Sequence, residues 1–229
     1  MSKTLDQCLV DNPVFSFLSK SDRDAVSSLA VQKKVAKGET LAHHADDWPY
    51  LFMVEKGIIN GLKESREGRS LIVIGVSPGE LFWGLSFFEE RIPMPVILQA
   101  QKASRVWLWH RDALLPILWR NGRFSWELSR LMVRRMQHAS DMVEGLAFQP
   151  VRSRLAQLLL GHFGKDAVGD FVARDMTLDE MAARVSTKRE MVCRLLYEFA
   201  DEGAIEISRT EFMITDQSKL KVYSEKGKS

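Results

Sequence analysis

Cysteine is almost missing from these 229 residues: Cys8 and Cys193 are the only two. They lie too far apart in sequence for a disulfide framework or for the four-ligand spacing of a zinc site. With Cys8 alone in the N-terminal half, an iron–sulfur cluster is excluded as well. Long apolar runs are also missing. None approaches the roughly 20 residues needed to cross a bilayer, and the opening MSKTLDQCLVDNPVF lacks the charged-then-apolar plan of a signal peptide. The sequence therefore predicts a soluble, cytoplasmic protein with no membrane partner. Charge of one sign is missing too, since 32 Lys and Arg face 30 Asp and Glu for a formal net charge of +2. No glycine-rich phosphate loop opens a helix, and no nucleophile, base and orienting residue group together, so no catalytic residue is assigned.

What is present is an ample hydrophobic share, 45%, enough for packed cores, and a pattern that changes twice along the chain. Ser21 with Asp24 fits a capping box for a short helix carrying Val26 and Leu29. Brief runs then follow between turn residues: QKKVA, PYLFMVEK, GIINGL, SLIVIGV, PVILQAQ and SRVWLW, bounded by Gly38, Gly57, Gly68 and Pro78-Gly79. Many short strands in so small a span predict a β-barrel or β-sandwich. From Arg123 to Phe148 there is no proline, and Leu128, Leu131, Met132, Ala139, Met142, Val143 and Leu146 recur at three- and four-residue steps. Such a helix extends about 39 Å at 1.5 Å per residue. A second copy is its natural partner, with Leu128, Leu131, Met132, Arg135, Ala139, Met142 and Leu146 at the dimer interface, although Arg135 weakens a simple zipper; the alternative is a helix lying on its own β-domain. Pro150 then introduces a mainly helical unit, with helices expected near 151–163, 178–185 and 188–200. AIEIS and EFMITD read as a short hairpin, and SEKGKS as a disordered tail.

The sharpest chemical signal is TLDEMAARVSTKREMVCRLLYEF. Thr177 with Glu180 and Thr187 with Glu190 both fit T-x-x-E, so two helices start ten residues apart with a tight corner between them. Winding the second helix at about 100° per residue puts Val192, Leu195, Leu196 and Phe199 on one side, Glu190 and Arg194 on the other. Arginine can donate two hydrogen bonds to guanine O6 and N7, and glutamate can accept one from the cytosine amine. Arg189 adds a second reader, while Thr177, Thr187 and Lys188 suit phosphate contacts. A purely structural alternative makes Glu190 a cap and Glu190–Arg194 an i,i+4 pair.

In order along the chain, PVRSRLAQLLL, LDEMA, KREMVCRLL and ADEGAIEI, with ELSRLMVRRMQ and GLAF before them, resemble the cyclic-AMP receptor protein and fumarate–nitrate reduction (CRP/FNR) regulators of bacteria. The resemblance covers nearly the whole chain. It implies an α+β fold with an N-terminal β-roll of the cupin-like, cyclic-nucleotide-binding type (1–110), a long dimerisation helix region (111–148) and a C-terminal winged helix-turn-helix (149–229). It further implies that Arg189, Glu190 and Arg194 contact bases in half-sites similar to TGTGA, arranged as an inverted repeat, and that RNA polymerase is a partner besides DNA. Ser186 stands where the family's turn usually has glycine, and Cys193 where glycine or serine is common.

The same resemblance places GELFWGLSFFEERIPMPVI, residues 79–97, on the family's phosphate-binding cassette. Trp83 and Gly84 replace the cassette's glycine and ribose-binding glutamate, and Met94-Pro95 replace its phosphate-holding arginine and serine. Ala139 replaces the hydroxyl residue that contacts adenine. A phosphate buried beside Trp83 and Met94 lacks its cation and hydroxyl donor, at a cost of several kcal/mol. These replacements argue against cyclic AMP. Three readings stay open for a pocket formed by Trp83, Leu85, Phe87, Met94, Pro95, His138 and Ala139. They are a site for an apolar or aromatic effector, a core filled by its own side chains, and a haem site with an axial ligand from His43, His44, His110 or His138. No cofactor or metal is assigned. A cupin-type metal site at His43, His44 and Glu55 is disfavoured because neighbouring strand residues point to opposite faces.

The expectation from sequence is thus a homodimeric transcription regulator that reads a palindromic site.

Overall fold

The computed structural model describes residues 4–164 and 167–225. They divide into two compact units, Met1–Lys63 with Val73–His138, and Glu64–Ile72 with Ala139–Ser229. The boundary falls inside the long helix rather than at residue 148, where the sequence suggests it. Among the described residues no helix is long and apolar enough to cross a membrane.

The first unit opens with helices α1 (Leu5–Asp11) and α2 (Lys20–Ser28). Sequence reading misses α1 and misplaces the start of α2. Ser19, not Ser21, is the N-cap, and its hydroxyl accepts from the Asp22 amide at 3.1 Å. Both S-x-x-D frames exist, and the earlier one wins with buried Leu18 immediately ahead of it.

Eight strands follow: β1 (Val31–Val35), β2 (Thr40–Ala42), β3 (Tyr50–Lys56), β4 (Ile59–Glu64), β5 (Ser70–Val76), β6 (Leu81–Trp83), β7 (Ile97–Ala100) and β8 (Ser104–His110). All six strands expected from sequence are present. The two that were missed, β2 and β6, are three residues long, too short for an alternation to register. They build two four-stranded sheets, ordered β1-β8-β3-β6 and β2-β7-β4-β5, the β-roll that the resemblance implies.

Alternation along β3 explains the two cores. Phe52 and Val54 join Val35, Ile59, Leu98 and Val106 in one cluster. Leu51 and Met53 point the other way, into a cluster with Phe15, Trp109, Leu114, Phe124 and Leu128. There Phe15 packs on Trp109 and Phe124 with ring centroids 5.4 and 5.2 Å apart, and the Trp109 indole donates to the Val26 carbonyl at 2.8 Å.

Helices α3 (Arg111–Arg120) and α4 (Gly122–Phe148) complete this part of the chain. Asn121 separates them, and its side chain accepts from the Phe124 amide at 3.1 Å, so one residue ends α3 and caps α4. The length of α4, 27 residues, agrees with the sequence reading.

The second unit contains α5 (Val151–Phe163), β9 (Val172–Ala173), α6 (Leu178–Arg184), α7 (Arg189–Asp201), β10 (Ile205–Ile207), β11 (Glu211–Ile214) and α8 (Gln217–Glu225). The strands form a small sheet ordered β10-β11-β9, the wing. Leu155, Leu159, Met181, Val192, Leu195, Phe199, Phe212 and Leu220 make its core. The three helices and the hairpin lie where the sequence puts them, whereas β9 and α8 were not anticipated. Ser224 and Glu225, expected in a disordered tail, close α8, and residues 226–229 lie outside the described residues.

Arg154 on α5 ties neighbouring helix ends together. Its guanidinium donates to the Gln149 carbonyl at 2.5 Å, more weakly to Gly145 at 3.5 Å, and through Nε to Val185 at 3.0 Å. Carbonyls at two helix C-termini thereby gain a cation. Burial holds this guanidinium below its usual pKa.

Candidate nucleic-acid interface and effector site

The corner between α6 and α7 is built as a helix-turn-helix. Thr177 Oγ1 accepts from the Glu180 amide at 3.2 Å, and Glu180 Oε2 accepts from the Thr177 amide at 2.7 Å, which closes the expected capping box. The second expected box does not form. The Thr187 amide donates to the Ala182 carbonyl at 3.0 Å, so Thr187 belongs to the turn, and Lys188 becomes the N-cap without a side-chain hydrogen bond. Ser186 occupies the turn with φ of 52°, the left-handed region in which glycine is favoured. The position therefore keeps the conformation that the family's glycine implies.

On α7, Val192, Leu195, Leu196 and Phe199 are buried, and Lys188, Arg189, Glu190 and Arg194 are exposed, as the winding predicts. Arg189 Nη1 pairs with Asp179 Oδ2 of α6 at 2.9 Å. The Glu190–Arg194 pair of the structural alternative is not made. Instead, Arg194 Nη2 lies 2.9 Å from Met191 Sδ, and its Nε lies 3.6 Å from Glu198 Oε1. Thr177 is exposed and Thr187 half-buried beside this face. Sequence reasoning missed Tyr197, which is 66% exposed on the same side. Its spacing of three from Arg194 and seven from Glu190 was the available signal.

Of the residues expected to share an effector pocket, the buried ones fall into two different clusters. Trp83 and Phe87 are buried in the cluster that holds Leu51 and Trp109, whereas Met94 is buried in the other cluster, beside Val96 and Ile74. Leu85 and Pro95 are exposed, as are His138 and Ala139 on α4. Leu85–Phe87 form a single 3-10 turn, and the Gly84 amide donates to the Tyr50 carbonyl at 2.9 Å. A Cβ at Gly84 would lie 1.8 Å from the Trp48 carbonyl oxygen, so the backbone leaves no room for the glutamate of the nucleotide cassette. A Cβ at Gly61 would meet Ile74 Cγ2 at 2.6 Å. Trp48, Phe52 and Phe82 interlock edge-on, with centroids 5.7 and 6.1 Å apart. A cleft of about 670 Å³ does exist elsewhere in this unit, but Asp11, Glu55, Lys56, Glu80 and Arg105 give it a charged lining.

His43 and His44 are exposed. His110 is the N-cap of α3, its Nδ1 accepting from the Asp112 amide at 3.3 Å. Among the described residues, no three His, Cys, Asp or Glu side chains gather as a metal-binding group.

Part of the expected dimer face is turned inward. Leu128 is only 2% exposed and sits in the cluster with Phe15 and Phe124, and half-buried Leu131 and Met132 pack against it. Arg135 is half-buried as well, its Nη2 3.4 Å from the Leu81 carbonyl and 3.9 Å from Glu80. Burial holds its guanidinium below the usual value despite Glu80. Met142 and Leu146 are half-buried. Large apolar side chains left to solvent on α4 are Trp126, Val133, Met136, Val143 and, at its end, Phe148. With Ser129, Ser140 and Ala147, the first four fall at alternating three- and four-residue steps, the spacing of a coiled-coil seam.

A β-roll, a long helix and a winged helix-turn-helix with an exposed basic reading face define a DNA-binding transcription regulator with an effector-type domain. The family model of the cyclic nucleotide-binding domain matches residues 32–121, and that of the Crp-like helix-turn-helix domain matches residues 153–223. The CRP-like cAMP-activated global transcriptional regulator of Mycobacterium tuberculosis is 25% identical over 222 residues, covering 94% of this chain and 98% of that protein. The cAMP-activated global transcriptional regulator CRP of Salmonella typhimurium is 29% identical over 175 residues, covering 75% and 83%. FixK2 from Bradyrhizobium japonicum has the same fold, with a TM-score of 0.72 at 20% identity over 85% of this chain and 96% of that one. The chain belongs to the CRP/FNR family of transcription regulators.

Proposed function

We propose that the chain acts as a homodimer that reads a palindromic, TGTGA-like DNA site through α7, with Arg194 and Arg189 on guanines and Glu190 on cytosine. One observation carries this reading: Arg189, Glu190 and Arg194 are exposed together on a helix whose opposite side is locked into the core. Thr177, Thr187 and Lys188 flank that face and suit phosphate contacts. The exposed seam on α4 supports pairing of two copies, and two recognition helices about 34 Å apart would enter successive major grooves. RNA polymerase as a further partner belongs to the same proposal.

The test is selection of bound sites from random DNA, followed by Arg194→Ala. The variant should lose about 1–3 kcal/mol of discrimination at one base pair while random DNA is bound nearly as before. An equal loss on both DNAs would refute the assignment.

A second reading concerns the input. The clash at Gly84 and the interlocked Trp48, Phe52 and Phe82 favour a β-roll filled by its own side chains, with no cyclic nucleotide and no cofactor. An apolar or aromatic effector is the competing input. Tryptophan fluorescence titrated with cyclic AMP should stay flat; a saturable change that also alters DNA binding would reverse this reading.

A further inference from the structure

Arg194 is not alone on its helix face. Glu198 stands one turn further along α7, with Oε1 3.6 Å from Arg194 Nε and Oε2 3.4 Å from Arg152 Nη1 on α5. Arg152 Nη2 in turn holds both Glu202 oxygens, at 2.7 and 2.6 Å. The Tyr223 hydroxyl of α8 donates to Glu202, and the Arg152 guanidinium lies 4.4 Å from the Tyr223 ring centroid. The Tyr223 ring stacks on Phe199 with an interplanar angle of 6°. The hydrogen bond to Glu202 holds Arg152 above its usual pKa, so this cation is permanent.

We propose that Glu198 is a positioning residue for base reading by Arg194. The inference rests on the reading of Arg194 as a guanine contact. Guanine recognition needs two parallel N–H donors in one plane, and a free arginine side chain samples many rotamers. A carboxylate at ion-pair distance from the Nε edge biases that plane and leaves the outer Nη pair for O6 and N7. The Met191 sulfur now near Nη2 is a weak acceptor that a base readily replaces. Glu198 itself cannot swing toward the DNA, because Arg152 holds its other oxygen and is anchored by Glu202 and Tyr223. The relay Tyr223–Glu202–Arg152–Glu198–Arg194 thus connects α8 and α5 to the reading face. All its ion pairs are partly exposed, so they add little to folding stability.

The experiment uses the full chain with Glu198→Gln, Glu198→Ala and Arg194→Ala. Binding is measured to the selected site, to that site with the Arg194 base pair replaced, and to random DNA, and thermal melting is recorded on the same samples. Glu198→Gln should reduce the preference for the intact site about three- to thirtyfold. Binding to random DNA should rise, because a negative charge beside the phosphates has gone, and melting should stay unchanged. Glu198→Ala should reduce the preference at least as far. A merely structural role would lower melting and weaken binding to both DNAs alike. An unchanged preference in both Glu198 variants, when Arg194→Ala abolishes it, would overturn the positioning role alone. An unchanged preference in Arg194→Ala would overturn the guanine contact and the positioning role together.

Discussion

At Ser186 the chain holds a non-glycine residue at φ 52°, where an L-residue costs roughly 1–2 kcal/mol over glycine. Glycine's greater freedom in the unfolded chain returns part of that difference. Ser186→Gly should therefore stabilise the winged-helix unit by about 0.5–1 kcal/mol, seen as a higher denaturant midpoint at unchanged slope. At Gly84 the sign reverses. Its missing Cβ makes room for the Trp48 carbonyl, so Gly84→Ala should destabilise the β-roll by on the order of 3 kcal/mol or more, measurable by thermal unfolding. The sequence made the exchange of glutamate for glycine legible through the cassette resemblance. It did not make the cause legible, since Trp48 and Gly84 meet only after β3 and β6 have paired.

Among the elements, α4 shows how one periodicity can serve two partners. Two apolar stripes run along it. Leu128, Leu131 and Met132 cover the chain's own core, and Trp126, Val133, Met136 and Val143 face solvent. Periodicity establishes that the helix is amphipathic, but two neighbouring stripes share nearly the same period. Only the position of Phe15 and Trp109, contributed by other parts of the chain, decides which stripe is taken. The two stripes should respond differently to mutation. Leu128→Ala should cost about 2–5 kcal/mol of stability, whereas Val143→Glu should leave melting of each unit nearly unchanged and shift the sedimenting species toward monomer. Helix α7 was more legible. Its buried and exposed sides follow from winding alone, and only the exposed Tyr197 went unnoticed.

For the whole molecule, the order of β-roll, long helix and winged helix was readable because each part has its own period and its own punctuation. What was not readable consists of short or context-dependent pieces: α1, with seven residues; β2, β6 and β9, with two or three residues each; and α8, whose Leu220 gains a partner only once the core containing Leu155 and Phe199 exists. The effector loop belongs with these. Its aromatic residues are identical on paper whether they line a pocket or fill one, and the two clusters that divide them exist only in three dimensions.

The side chain of Arg154 ties together the chain on both sides of Pro150. Because it grips the carbonyls of Gly145, Gln149 and Val185 at once, the closing turn of the long helix is riveted to the DNA-reading corner. Pro150 resembles a joint in the sequence, yet it lies inside the riveted region.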